Sequence, residues 1–231
     1  MRCPLTALAA ALALAVAGCG GGDDDSSSST VTATTATTPA STTQASTTPG
    51  GCRKVAPPKP RKPGKHPKPS KPLPPGKWSI EIVTNCGSFT IALDPKQSPN
   101  ASASLVALAR DGYFDRTVFH RIVPGFVIQG GDPTATGTGG PGYTTVDRPP
   151  GGARYTLGAV AMAKAGNEPR GAAGSQFYVV TGQDAGLPPD YAIVGKVSKG
   201  LGAVERIGRL GDASEQPTEP VVIATARAKR G

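Results

Sequence analysis

The sequence predicts a mainly β domain with the architecture of a β-barrel, preceded by a long segment without a core of its own. Eight short stretches rich in β-branched and aromatic residues recur between residues 78 and 226, separated by only two helical stretches. Many short strands with few helices favour a barrel. Residues 20–77 contain too few large apolar side chains to offset the entropy of ordering.

The strands and helices can be placed along the chain from their flanking turn residues. The first helix is predicted to begin at Ser98-Pro99, with serine as N-cap, and to end at Gly112. The second helix is predicted at Leu201–Leu210. The predicted strands are Trp78–Val83, Ser88–Leu93, Thr117–Val123, Phe126–Gln129, Val160–Ala163, Gln176–Val180, Tyr191–Val197 and Val221–Ala226.

The hairpin around residues 117–129 contains the most informative polar side chains. Residues 123–126 predict a type II turn, because proline sets φ at the second position and glycine accepts a positive φ at the third. Strict alternation places Arg121 on one face with Phe119, and His120 on the other with Ile122. A guanidinium on such an apolar surface needs a partner or a cleft. An arginine satisfied by a carboxylate or by backbone carbonyls is the alternative.

Three sequence blocks carry a resemblance to a known family. FHRIVPGFVIQGGDPTATGTGGPGY at residues 119–143, LGAVAMAKAGNEPRGAAGSQFYVV at 157–180 and LPPDYAIVGKV at 187–197 resemble the cyclophilin-type peptidyl-prolyl isomerases in the same order. The resemblance runs from about Trp78 to the C-terminus. It implies a closed, eight-stranded antiparallel β-barrel capped by two α-helices, and prolyl isomerase activity on proline-containing polypeptides.

The resemblance also implies a set of site residues. Arg121, His120 and Gln129 match the catalytic positions, with the arginine directed at the prolyl amide. The substrate-binding positions match Phe126, Val127, Ala163, Lys164, Gln176, Phe177, Tyr178, Leu187 and Tyr191. The sequence departs from well-known members at Lys164, where asparagine is usual, and at Tyr178, which replaces phenylalanine. Gly186 stands where some members carry tryptophan, which puts tight cyclosporin binding in doubt.

No other catalytic chemistry is indicated, and no cofactor or metal is expected. The chain has two histidines, and His66 lies in the predicted spacer. With Cys52 and Cys86 away from the family's cleft, no set of residues has the spacing of metal ligands. No serine stands in a nucleophile-elbow context.

The N-terminus predicts export and lipidation. A positive Met1-Arg2 precedes the apolar stretch Leu5–Val16, which is too short to span a bilayer as an ordinary helix. Val16-Ala17-Gly18-Cys19 resembles a bacterial lipobox, so residues 1–18 are expected to be a lipoprotein signal peptide and Cys19 the lipidated residue. The predicted location is extracytoplasmic, anchored by lipid to the bacterial cell membrane. An ordinary signal peptide is the alternative.

Residues 19–77 are expected to form a disordered tether, first rich in Ser and Thr and then in Lys and Pro. Residues 53–77 hold nine basic residues, nine prolines and no acid, whereas residues 78–231 carry a net charge of only +2 of the total +9. Nucleic-acid binding is therefore not expected. The basic segment suits anionic lipid or wall polymers, and a spacer extended by self-repulsion is an equal alternative.

Cys52 and Cys86 remain after the signal-peptide Cys3 and the lipidated Cys19 are set aside. An exported pair can oxidise, so a Cys52–Cys86 disulfide is expected, with two free thiols as the alternative. The domain is expected to be a monomer. Three functions remain open from the sequence: an exported, membrane-anchored prolyl isomerase, a proline-binding module with weak turnover, and a wall-associated structural lipoprotein.

Overall fold

The computed structural model describes residues 51–231. The predicted signal peptide at residues 1–18, the lipidation site Cys19 and the first part of the predicted tether lie outside the described residues. Neither helix within 51–231 is long and apolar enough to cross a membrane.

The described residues form ten strands and two helices. In chain order they are β1 (Trp78–Thr84), β2 (Gly87–Leu93), α1 (Pro99–Arg110), β3 (Thr117–Val123), β4 (Val127–Asp132), β5 (Thr145–Val146), β6 (Ala159–Met162), β7 (Ala172–Ala173), β8 (Phe177–Val180), β9 (Ile193–Lys199), α2 (Leu201–Gly208) and β10 (Val222–Arg230). Eight of these strands close into an antiparallel barrel in the order β1-β10-β3-β4-β8-β6-β9-β2. The predicted fold class is therefore confirmed. The short pair β5–β7 lies outside the barrel, in a Gly- and Pro-rich region where the sequence shows no strand pattern.

Aromatic rings fill the barrel interior. Phe119 of β3 and Phe177 of β8 meet edge to face with centroids 6.1 Å apart, and Phe114 adds a second edge contact to Phe177 at 5.9 Å. All three are buried and belong to the main apolar cluster. Buried edge-to-face pairs contribute roughly 0.5–1.5 kcal/mol each beyond their area.

The first helix is capped differently from the prediction. The Ser98 hydroxyl donates to the Ile193 carbonyl at 2.7 Å and makes no cap hydrogen bond. The buried carboxylate of Asp147 accepts the backbone N–H of Ala101 at 2.6 Å and that of Asn100 at 3.3 Å. Ser98 is the N-cap residue, as predicted, but its side chain does not make the capping hydrogen bond, because a distant carboxylate satisfies the first N–H groups.

A bulge in β3 sets the direction of the polar side chains. Phe119 pairs with Gly130 and Arg121 pairs with Gln129, so His120 is an extra residue on the β3 side. Phe119 and Ile122 consequently both point into the barrel, and both are fully buried. The predicted strict alternation was wrong here, since the inserted residue puts His120 and Arg121 together outside the core.

The Lys- and Pro-rich residues 53–77, here called the strap, run along the domain surface. Backbone N–H groups of the strap donate to barrel-side carbonyls: Arg53 to Asn85 at 2.8 Å, Arg61 to Pro133 at 2.8 Å and His66 to Pro141 at 2.9 Å. The His66 ring also packs edge-on against Tyr113, with centroids 4.9 Å apart.

The ordered strap differs from the disordered tether expected for this part of the chain. An extended proline-rich chain leaves its N–H and C=O groups free for neighbouring loops, and its prolines reduce the entropy that ordering costs. Composition shows that the strap has no core of its own, but it does not show that the neighbouring domain offers partners for its backbone.

A disulfide joins Cys52, just before the strap, to Cys86 in the β1–β2 turn. Both cysteines are buried in the main apolar cluster. The bond closes a loop with a sequence separation of 34 residues that contains the whole strap. Cross-linking a loop of this length restricts the unfolded chain and contributes about 3 kcal/mol.

Replacing both cysteines by alanine is expected to lower the thermal midpoint by about 6–12 °C, because the unfolded state regains the entropy of the open loop. Differential scanning calorimetry of oxidised wild type and of the double variant measures this shift. Treatment with a reductant should bring wild type down to the variant. Equal midpoints in all three samples would show that the bond contributes no stability.

Candidate active site

The β3–β4 hairpin places an aromatic ring beside the arginine. The turn closes with the Phe126 N–H donating to the Val123 carbonyl at 3.0 Å, and Gly125 has φ +71°, which suits glycine. The guanidinium carbon of Arg121 lies 6.0 Å from the centre of the Phe126 ring. The predicted turn thus brings these two side chains to one cleft on the barrel surface.

Arg121 is held from two sides. Its Nε donates to Glu215 Oε2 at 2.6 Å, and its Nη1 donates to Gln129 Oε1 at 3.4 Å. One third of the side chain remains exposed. Since an arginine has five N–H donors in a rigid fork, these contacts leave donors available for a ligand in the cleft.

Two glutamine side chains continue the chain of hydrogen bonds, and we call them the amide pair. Gln129 Nε2 donates to Gln176 Oε1 at 3.0 Å. Gln176 Nε2 in turn donates to the carbonyls of Gly137 and Gly139 at 2.9 and 3.0 Å. Each side-chain amide donates through its nitrogen and accepts through its oxygen, so the hydrogen bonds run in one direction, from Arg121 through Gln129 to Gln176. Gln129 Oε1 therefore faces Arg121.

A buried carboxylate holds the loop that anchors the amide pair. Asp132, fully buried, accepts backbone N–H groups from Thr134, Gly137 and Gly139 at 2.7–3.1 Å, as well as the Thr134 hydroxyl. Burial opposes its ionisation, but these hydrogen bonds outweigh burial and lower the pKa of the carboxyl. A Cβ at Gly139 would lie 2.0 Å from the carboxylate, so only glycine fits there.

The floor of the cleft is apolar. It is a second cluster on the outer side of the barrel, separate from the interior core. Tyr155, Tyr178 and Tyr191 pack together behind it, with ring centroids 5.7–6.4 Å apart. Six of the residues predicted to bind substrate belong to this cluster: Phe126, Val127, Ala163, Tyr178, Leu187 and Tyr191.

The tyrosine hydroxyls differ in their partners. The Tyr155 hydroxyl donates to the Tyr191 carbonyl at 2.8 Å and accepts the Tyr191 N–H at 3.0 Å, which fixes the loop that carries Tyr191. The Tyr178 hydroxyl has no hydrogen-bond partner within the described part of the chain, and burial raises its pKa. The phenylalanine-to-tyrosine departure therefore keeps the ring contacts and adds a neutral hydroxyl.

The predicted site residues Phe177 and His120 lie away from the cleft floor, whereas Lys164 borders it. Phe177 is in the barrel interior, because its neighbour Tyr178 faces outward and successive side chains of a strand alternate. Its expected role as a wall of the binding site was wrong. The side chain of Lys164 is almost fully buried beside the floor: its ammonium pairs with Asp190 at 2.8 Å and lies 5.7 Å from the centre of the Tyr191 ring. His120 lies beside Gly137 and does not join the amide pair.

The surroundings of His120 favour the uncharged imidazole. Both ring nitrogens are buried without a hydrogen-bond partner among residues 51–231, and burial lowers the pKa of the ring. Its position next to the loop at Gly137 indicates packing against that loop.

Sequence reasoning missed Glu215. This residue sits in the loop between α2 and β10 with φ +64°, and its carbonyl accepts the Ile122 N–H at 2.9 Å. The Asp212 carboxylate accepts the N–H groups of Ser214 and Gln216 at 2.8 and 2.9 Å, which closes the loop. An aspartate followed by small polar residues signals a tight turn. Nothing in the sequence shows that the turn faces β3.

The arrangement combines an apolar floor with an oriented cation. Such a site can bind a proline ring and direct N–H donors at the ring nitrogen, which is the nitrogen of the prolyl amide. Among residues 51–231, no cluster of three or more His, Cys, Asp or Glu side chains could hold a metal ion.

Comparisons with known proteins agree with this geometry. Residues 79–228 match the family described as cyclophilin type peptidyl-prolyl cis-trans isomerase/CLD. Peptidyl-prolyl cis-trans isomerase-like 1 from Gibberella zeae is 38% identical over 154 residues, covering 64% of this chain and 93% of that protein. The human protein of the same name is 35% identical over 162 residues, covering 67% and 96%.

A solved structure is also similar. It is a cyclophilin type peptidyl-prolyl cis-trans isomerase from Cryptosporidium parvum, crystallised in the presence of the dipeptide Ala-Pro. The TM-score is 0.61 at 32% identity, covering 66% of this chain and 99% of that one. The chain belongs to the cyclophilin-type peptidyl-prolyl cis-trans isomerases, and it has the corresponding enzyme activity.

The contact between Glu215 and Arg121 predicts a positioning role. The hydrogen bond and the charge of Arg121 lower the pKa of the Glu215 carboxyl, so the pair persists through the neutral range. Glu215→Ala is expected to lower kcat/KM for a proline tetrapeptide roughly two- to fivefold, mainly through kcat, because the guanidinium loses one of its two supports.

Glu215→Gln should recover part of the loss, since the amide oxygen still accepts from Nε. Glu205→Gln, on the exposed side of α2, is the matched control. An unchanged kcat in Glu215→Ala would contradict the positioning role, as would a fall in thermal midpoint that accounts for the lost activity.

Proposed function

We propose that this isomerase is exported, anchored to the membrane by a lipid at Cys19, and assists the folding of other exported proteins. The observation that carries the proposal is the lipobox-like sequence ending at Cys19, in a chain whose Cys52 and Cys86 form a disulfide. Disulfides persist in oxidising compartments and are rare in the cytosol. A disulfide in the mature domain and a signal peptide before it point to the same compartment.

The proposed mechanism uses Arg121 as the catalytic residue. Rotation about a prolyl amide requires loss of C–N resonance, with a barrier of roughly 18–20 kcal/mol. As the bond twists, the nitrogen becomes pyramidal and its lone pair becomes an acceptor. An N–H of Arg121 that donates to this nitrogen stabilises the twisted state more than the planar one, which lowers the barrier.

The neighbours of Arg121 have distinct parts in this mechanism. Phe126, Val127 and Leu187 receive the proline ring on the apolar floor. Gln129 and Glu215 fix the direction of the guanidinium, so little reorganisation is needed when the amide twists. No proton is transferred and no covalent intermediate forms.

Arg121→Ala is expected to lower kcat/KM thirtyfold to a thousandfold, about 2–4 kcal/mol of transition-state stabilisation, as for loss of a preorganised donor. Binding of a proline peptide should weaken far less, because the lost hydrogen bond forms mainly in the twisted state. Arg121→Lys should restore little, since a point charge does not reproduce the planar fork. A protease-coupled isomerisation assay and titration calorimetry measure the two quantities.

Arg154→Ala is the matched control, because Arg154 is an exposed arginine with its own carboxylate partner, Asp184. It should retain wild-type activity. Wild-type activity in a folded Arg121→Ala protein would show that another group stabilises the twisted amide.

The proposed partners follow from the location. Proline-containing polypeptides are the substrates, and the membrane is contacted through the lipid. The exposed basic residues Arg53, Lys54 and Lys59 lie near the disulfide end of the strap and suit anionic lipid headgroups or wall polymers. Acyl chains supply most of the anchoring, since each buried CH₂ adds roughly 0.8 kcal/mol.

Cys19→Ala is expected to leave unprocessed precursor that lacks the lipid mass, because the thiol that receives the diacylglycerol is gone. Mass spectrometry of protein from the membrane fraction measures both changes. Cys3→Ala is the matched control, since Cys3 lies before the apolar stretch, and this variant should be processed normally. Wild-type protein with an unmodified Cys19, free in the medium, would refute the anchor.

A further inference from the structure

A cavity lies between the strap and the barrel, next to the disulfide at which the strap begins. Its volume is about 640 Å³, which is within the range of sites that bind small ligands. Strap residues 53–61 form one side of it, and the loop after α1, the β1–β2 turn and β10 form the other. None of the residues that line it belongs to the proline-binding cleft.

Hydrogen bonds hold both sides of this cavity in place. The Asn85 side chain connects them, because its Nδ2 donates to the Arg53 carbonyl at 2.8 Å and its Oδ1 accepts the Val222 N–H at 2.8 Å. On the barrel side, the Arg116 N–H donates to the Ile223 carbonyl at 2.7 Å. The cavity is therefore formed before a ligand arrives, which reduces the ordering that binding would cost.

Four exposed cationic side chains line the cavity: Arg53, Lys59 and Arg61 from the strap, and Arg116 from the barrel side. Within residues 51–231, the side chains of Arg53, Lys59 and Arg116 have neither a carboxylate partner nor a hydrogen-bond acceptor. Arg61 donates through Nη2 to the Tyr113 carbonyl, which fixes the direction of its guanidinium and leaves its other N–H groups available.

The carboxylate in the cavity wall does not neutralise these cations. Asp115 forms a two-pronged ion pair with Arg227, in which Nη1 lies 2.7 Å from Oδ1 and Nη2 lies 2.7 Å from Oδ2. Asp115 also accepts the Ala226 N–H at 3.0 Å. The cavity thus keeps a positive charge, and an anion placed among its cations would relieve their mutual repulsion.

The lining of the cavity indicates the class of anion that it suits. Guanidinium groups present paired N–H donors that match the oxygens of a phosphate. Apolar surface lies next to the cations, contributed by Val55, Pro57 and Pro58 of the strap and by Val222 and Ala224 of the barrel. A phosphate on a short organic stem matches both parts of this lining, as in the headgroup and glycerol of a phospholipid.

We propose that this cavity binds the headgroup phosphate of an anionic phospholipid and seats the domain on the membrane. The choice of a lipid rests on the proposed anchor at Cys19, whereas the charge and shape of the cavity do not depend on it. The cavity adjoins Cys52, and a flexible chain of about 30 residues, such as the one predicted between Cys19 and Cys52, spans roughly 30 Å on average. The anchor therefore keeps headgroups at a high effective concentration beside the cavity.

The test measures binding of the full chain to vesicles by co-sedimentation. Every protein carries Cys19→Ala, so that no lipid is attached, and the chain with this change alone is the parent. Vesicles of phosphatidylcholine are compared with an equimolar mixture of phosphatidylcholine and phosphatidylglycerol. Binding to phosphatidylcholine alone measures what the apolar stretch Leu5–Val16 contributes. The parent should bind the mixed vesicles more tightly, and the difference should fall as salt screens the charges.

The combined variant Arg53→Gln, Lys59→Gln, Arg116→Gln removes the three unpartnered cations and retains Arg61, which holds the strap. Its partition coefficient on the mixed vesicles should fall roughly thirtyfold to a hundredfold at low salt, because each of these basic residues loses its attraction to the anionic surface. Isomerase activity and thermal midpoint should stay at the parent values, since these side chains lie outside the cleft.

The matched control removes the same charge from the same strap. Lys65, Lys71 and Lys77 are exposed and do not line the cavity, so their combined replacement by glutamine should lower the partition coefficient no more than about twofold. An equal fall in both triple variants would overturn the site, and so would a parent that binds the mixed vesicles no better than phosphatidylcholine alone.

A soluble poly(glycerol phosphate) serves as the probe for a wall polymer. If it binds the parent through the same three cations while the mixed vesicles do not, the occupant is a wall polymer and the lipid proposal is wrong. The proposed anchor is tested separately, by the mass of wild-type protein. Since every protein in the vesicle test lacks the lipid, an unmodified Cys19 in wild type would refute the anchor without changing the result for the cavity.

Discussion

The catalytic geometry depends on the hydrogen bonds that the buried carboxylate of Asp132 accepts. This carboxylate gathers the N–H groups of the 132–139 loop and thereby aims the carbonyls of Gly137 and Gly139 at Gln176. Gln176 in turn orients Gln129 through a hydrogen bond, and Gln129 orients Arg121 in the same way. An ionised group in the interior is costly unless it is hydrogen-bonded, and here its partners are the backbone groups of one loop. The hydrogen bonds that satisfy the buried carboxylate of Asp132 thus also orient the guanidinium of Arg121 at the surface.

The catalytic geometry also depends on the β3 bulge, which sets the direction in which Arg121 points. Without an inserted residue, Arg121 would share a face with Phe119 and point into a core of phenylalanine rings. The bulge turns both His120 and Arg121 outward while Phe119 and Ile122 stay inside. Bulges are common beside active sites because they redirect a side chain without a change of fold. Here the redirected side chain meets the Glu215 loop.

Much of the fold could be predicted from the sequence, because turn residues and β-branched stretches are local signals. All eight barrel strands were located, and the resemblance supplied barrel closure, Arg121, Gln129 and Gln176. Contacts between distant segments could not be predicted. Asp147 caps a helix that precedes it by some 46 residues, and Glu215 reaches Arg121 across 94 residues. Phe177 was misplaced for a local reason: two adjacent residues of a regular strand without a bulge face opposite sides, and the sequence does not say which of the two aromatic residues faces inward.

The disulfide also determines how the domain responds to mechanical force. A pull on the chain before Cys52 reaches the covalent bond to Cys86 before it reaches the strap, and it enters the barrel at the β1–β2 turn. The load then runs into two strands that are hydrogen-bonded on both edges within the closed barrel. The hydrogen bonds of the strap to the barrel loops lie outside that line of tension. The substrate-binding surface is therefore mechanically isolated from the segment by which the protein is tethered in our proposal.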